Sequence, residues 1–124
     1  MTATGTGRPT GHADWQEHLL VDTHGPWDGP GWARFLADAA TLARAGRRTR
    51  VLLVQDGVLG ALAGAGAGAS LDPVLAAGGE LCVDRFSWEQ RGLAGRPARA
   101  GVPWSDRDEA AGWVLDPGVQ VVWR

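Results

Sequence analysis

Arg50 to Val58 reads R-V-L-L-V-Q-D-G-V, and this run places the chain in the α/β class. Four apolar residues, Val51 to Val54, follow a basic approach and stop at Gln55-Asp56-Gly57. A short unbroken apolar run, closed by charge and a turn signal, is the pattern of a strand buried on both faces. Such strands belong to parallel sheets covered by helices. Ligands of open parallel sheets gather outside the carboxyl ends of the strands. Gln55, Asp56 and Gly57 therefore stand where a binding site is expected.

Upstream, Glu17 to Asp22 holds Leu19-Leu20-Val21 between polar residues and predicts the first strand. It enters a loop dense in Gly and Pro, His24-Gly25-Pro26-Trp27-Asp28-Gly29-Pro30-Gly31. Trp32 to Ala45 predicts a helix, because Trp32, Phe35, Leu36, Ala39, Leu42 and Ala43 form one apolar stripe. Gly46 suits the residue that closes it. A strand, a helix and a strand of this length make a right-handed crossover the default.

Downstream, Val58 to Ala69 predicts a short helix that frays into a loop, since Gly64, Gly66 and Gly68 each cost about 1 kcal/mol relative to alanine. The Gly-Ala run lacks the Lys-Ser/Thr ending of a phosphate-binding loop. Ser70 to Ala77 predicts a second short helix and Glu80 to Asp84 a third strand. A helical segment follows over Phe86 to Leu93, then a loop from Ala94 to Val102. Ser105 is expected to cap a helix through Trp113, with Asp106, Asp108 and Glu109 in its first turn. Val119 to Trp123 is the last strand. The order implies a parallel sheet of about four to five strands between helices.

The 124 residues are expected to form one domain over residues 15–124, after a polar, glycine-rich tail over residues 1–14. The formal charge is −2, which gives no electrostatic footprint for nucleic acid. No run approaches the roughly 20 apolar residues of a membrane helix, and residues 1–14 lack a signal-peptide core. The expectation is a cytoplasmic protein that binds neither nucleic acid nor membrane. One cysteine excludes an internal disulfide framework.

Other residues with chemistry are few. Asp56 either meets a ligand or shapes the Asp-Gly turn by accepting backbone N–H groups. Asp84 either walls the same crevice or pairs with Arg85 or Arg91. His24 ends the first strand and serves either a site or its own loop. No second His or Cys is spaced with it for a metal, and no G-x-S-x-G marks a nucleophilic serine. No cofactor is implied. Trp27 and Trp32 flank the loop above the sheet and either line an apolar pocket or, as the favoured reading, form a contact for another subunit.

Taken together, four segments resemble the DsrE/DsrF-like family, the small α/β subunits of bacterial sulfur relay and sulfur oxidation. The first is the Gly-Pro loop His24-Gly25-Pro26-Trp27-Asp28. The second is the Ala/Leu helix that ends at Gly46. The third is the strand ending in Asp56-Gly57-Val58. The fourth is Gln90-Arg91-Gly92-Leu93, followed by Gly101-Val102. The resemblance covers about Glu17 to Arg124. It implies a flavodoxin-like three-layer sandwich and assembly as a homo-oligomer (dimer, trimer or hexamer) or a hetero-oligomer with a related subunit. In sulfur-carrying members it also implies a persulfide cysteine about seven residues before the Arg of the Arg-Gly pair.

Counting back seven from Arg91 reaches Asp84, whereas Cys82 lies two residues earlier. Residues two apart on a strand share a face at about 6.6 Å. The thiol is thus expected deeper in the sheet, below Asp84. Burial and a nearby carboxylate both oppose thiolate formation. Three functions stay open. One is an accessory, non-catalytic protein that binds a partner or small ligand at the carboxyl edge, through His24, Trp27, Gln55, Asp56, Gly57, Asp84 and Arg91. The second is a sulfurtransferase-type carrier with Cys82 as its catalytic residue. The third is a small-molecule-binding domain whose pocket joins Gln55, Asp56 and the Gly-rich loop.

Overall fold

The computed structural model describes residues 17–124, so the tail expected over residues 1–14 lies outside the described residues. Five strands form one all-parallel sheet: β1 (Glu17–Asp22), β2 (Arg48–Leu53), β3 (Glu80–Asp84), β4 (Trp104–Ser105) and β5 (Val119–Trp123). Their order across the sheet is β4-β3-β2-β1-β5. The chain steps one way from β1 to β4 and then returns to the far side of β1. Right-handed crossovers in two opposite directions must lie on opposite faces. Helix α1 (Gly31–Arg44), two 3-10 helices (Gln55–Ala61 and Gly66–Leu71), α2 (Asp72–Ala76) and α3 (Arg85–Gln90) serve the first direction. Helix α4 (Arg107–Leu115) alone serves the return. The result is a three-layer α/β sandwich of the flavodoxin-like class.

The two faces are covered unequally. Leu20, Val51, Leu53, Leu81 and Val83 point to the first face, where Trp32, Leu36, Ala39, Val58, Leu71, Val74 and Trp88 bury them. Leu19, Val21, Leu52 and Cys82 point to the second, under Ala110, Trp113 and Val114 of α4. The alternation follows from the period-two geometry of strands.

Four features differ from the sequence expectation. β4 is a fifth strand of only two residues, too short to carry a hydrophobic pattern. Asp106, not Ser105, caps α4: its Oδ1 accepts the Glu109 N–H at 2.8 Å, while Ser105 is the buried end of β4. The Gly-Ala run is no loose loop, since it forms the second 3-10 helix. The Trp32 indole Nε1 donates to Ala67 O at 2.9 Å, and Arg99 Nη1 donates to Gly68 O at 2.9 Å. Trp32 is thus a buried core residue with its polar tip satisfied, not a subunit contact. Among the described residues no helix is long and apolar enough to cross a membrane.

Candidate functional site

The carboxyl ends of β2 and β3 carry a small polar network. β2 stops because Gln55 takes a left-handed backbone, φ 51°, the one such non-glycine residue described. That conformation costs energy for any residue with a Cβ and persists only where its surroundings hold it. Here the Gln55 N–H donates to Ser87 Oγ at 2.8 Å. Ser87 in turn donates its hydroxyl to Asp84 Oδ2 at 2.6 Å and its N–H to the same oxygen at 3.0 Å. Asp84 is therefore the cap of α3, satisfying a helix N-terminus that lacks intrahelical partners.

Beside this network, Arg91 Nε donates to Asp56 Oδ1 at 2.8 Å, and Arg91 Nη1 donates to Ser87 O at 3.3 Å. Of the partners considered for Asp84, Arg91 is taken by Asp56, and Arg85 lies 3.9 Å from Glu89. Gly57 has no room for a side chain, since a Cβ there would overlap the carbonyl of Asp22. Gly25 is less tight: a Cβ there would make only ordinary contacts with Asp56 and Trp27, at 3.6 to 3.8 Å. Trp27 itself is 70% exposed. His24 interacts locally: its N–H donates to Asp22 Oδ1 at 3.1 Å, and its Nδ1 lies 3.2 Å from Thr23 Oγ1.

The strand order reverses between β1 and β5, so the crevice favoured by ligands of such sheets lies there rather than between β2 and β3. The chain fills it. Arg124 Nη1 donates to both carboxylate oxygens of Asp22, at 2.9 and 3.0 Å. Asp22 is fully buried, and burial pushes its carboxyl above the ordinary range although the His24 N–H and the Arg124 guanidinium pull the other way. Gly31, the first residue of α1, packs against the same guanidinium. Asp22, Ser87 and Arg124 were not among the sequence-based candidates. Asp22 was visible as a polar strand end, but nothing in the local pattern marks Ser87 or joins residues 22 and 124.

Cys82 stands apart from this edge. It is buried on the second face, beside Leu52 and under α4. Burial is the main cause that raises its thiol pKa; Glu109 and Glu80 add to it and Arg50 opposes. The carboxylates that act on the thiol are thus Glu109 and Glu80, not Asp84. Arg50 is itself bound to Glu80 at 2.9 Å and lies 4.0 Å from the Trp113 ring centre. Among the described residues no group of three His, Cys, Asp or Glu is placed to hold a metal.

A groove of about 410 Å³ opens on the second face, where the short α4 leaves the sheet bare. Val21, Leu52, Val54, Val114 and Trp123 form much of its wall, and Asp84 and Arg107 bring charge to it.

No protein-family model matches the sequence, and no curated protein matches it. The fold does have a counterpart. It superimposes on the crystal structure of the ychN protein from E. coli with a TM-score of 0.77, covering 88% of this chain and 99% of that one. The two sequences are 20% identical over the match, so what this chain shares with the ychN protein is its fold.

Proposed function

We propose that this chain is a DsrE/DsrF-like accessory protein, without a catalytic cycle of its own, that binds a partner or small ligand at the carboxyl edge of its sheet. The observation that carries this reading is the separation of edge from thiol. At the strand end, where sulfur carriers of the family place a cysteine, this chain has Asp84, committed to capping α3. The thiol lies one side-chain repeat deeper, buried and held protonated. What the edge offers instead is an exposed indole, Trp27, near an ion pair that remains partly open to water. Such a surface supports recognition, since it has no group poised for nucleophilic attack.

The test is intact-mass spectrometry after incubation with a persulfide donor, on native and on denatured protein. Only the denatured chain is expected to gain sulfur. A stoichiometric +32 Da adduct on native Cys82 would put the carrier reading first.

The groove favours a second reading, a small-molecule-binding domain. Its volume and apolar lining lie in the range of ligand pockets, which run to roughly 300–1,000 Å³. This site differs from the one expected from sequence, because the Gly-rich loop is bound to α1 on the opposite face. A compound at 100 times its dissociation constant should add about 2.7 kcal/mol to stability. Ala111→Arg, which fills the groove from the exposed side of α4, should abolish that gain. A hit that stabilises wild type and variant equally would remove the groove from consideration.

A further inference from the structure

Of the two edges of the sheet, one is guarded and one is not. β4 is two residues long, preceded by Pro103 and followed by the cap residue Asp106. β5 is five residues long, V-Q-V-V-W, with no charge, proline or glycine. Natural sheets blunt their edges with such residues, with bulges or with short strands, because a long uncharged edge is a template for another strand. β5 has none of these devices. Its neighbour on one side is β1, and no described strand lies on the other.

The backbone shows which groups face outward. Arg124 donates its N–H to Val21 O and accepts from Thr23 N–H, so both its main-chain groups point to β1. In a parallel ladder both groups of a residue point the same way and alternate residues face opposite sides. Gln120 and Val122 therefore bond to β1, and Val121 and Trp123 turn their N–H and C=O outward. The Val119 N–H is used by Asp116 O, which leaves its carbonyl facing out. Apolar surface continues around this edge: Val122 is 38%, Trp123 59% and Leu115 78% exposed.

We propose that the outer edge of β5 is an interface for a second copy of this chain, whose own β5 adds antiparallel about a two-fold axis at Val121. In that register each Val121 exchanges both hydrogen bonds with the partner's Val121. Each Trp123 N–H meets the partner's Val119 carbonyl. Val119 faces the partner's Trp123 on one face and Gln120 faces the partner's Val122 on the other. No like charges meet, because the strand has none, and a two-fold contact requires this kind of self-match. The occupant is a strand because only a strand presents alternating donors and acceptors at this spacing. A second copy fits because this strand is its own complement. The inference does not depend on what the carboxyl edge binds.

Light scattering on the full chain at micromolar concentration should give twice the 13.0 kDa chain mass, or a larger even-numbered assembly. Val122→Lys and Trp123→Lys, which place an edge-blocking charge on opposite faces, should each reduce that mass at least twofold with an unchanged circular dichroism spectrum. Amide hydrogen exchange separates lost pairing from unfolding. The Val121 and Trp123 amides should be protected in the wild type and exposed in the lysine variants, while Gln120 and Val122 stay protected in both. A wild-type monomer, an assembly indifferent to both variants, or fast exchange of Val121 and Trp123 in the wild type would overturn the proposal.

Discussion

At the scale of single residues, two glycines make opposite predictions. Gly57 packs flat on the Asp22 carbonyl, a backbone atom that cannot move aside without breaking the β1–β2 end. Gly57→Ala is expected to cost about 3 kcal/mol, read as a shift of the urea midpoint at unchanged slope. Gly112, inside α4 with open space around it, should behave as an ordinary helix glycine. Gly112→Ala should raise stability by up to about 1 kcal/mol in the same titration. Cys82 makes a prediction about pH. Its native pKa lies above the ordinary value of 9.0. As pH rises through the unfolded value, the unfolded chain releases its proton first, so stability falls on the alkaline side. Cys82→Ala should flatten that fall between pH 8 and pH 10 relative to wild type, at a cost at neutral pH of about 1 kcal/mol. An equal alkaline loss in both proteins would show that the thiol is not what titrates. The residues of the carboxyl edge were legible as residues: Gln55, Asp56, Asp84 and Arg91 do meet around the ends of β2 and β3. Their pairing was not, because Ser87 lies on the buried side of a short helix and carries no signal of its own.

At the scale of elements, the long strands were readable because each is an apolar run cut off sharply by polar residues. β1, β3 and β5 begin and end where those runs do. β4 was not, since two residues hold no period, and it exists because Val83 and Asp84 offer it a ladder. The segment from Gly66 to Leu71 was misread for a related reason. Local propensity there is poor, and its order comes from Trp32 and Arg99, about thirty residues away on either side. That contact is testable. Trp32→Phe keeps an aromatic ring beside Gly60 but removes the indole donor. It should leave the sheet intact while the amides of residues 66–71 lose protection against hydrogen exchange. Loss of protection across the whole chain instead would mean that Trp32 acts as a core residue only.

At the scale of the whole molecule, the unequal covering of the sheet accounts for both apolar features on its surface. One nine-residue helix spans a face that three helices and two 3-10 turns cover on the other side, leaving the groove beside α4 and the bare flank of β5. The connectivity that produces this also sets an order of events during synthesis. β1 is made first but is flanked by β2 and β5, and its register with β5 joins Glu17 to Val119 and Val21 to Trp123. Until residues 119–123 have left the ribosome, one edge of β1 has no neighbour, and the buried Asp22 has no Arg124 to neutralise it. A nascent chain that has emerged only as far as Gly118 therefore lacks the strand that pairs with this side of β1, along Leu19-Leu20-Val21.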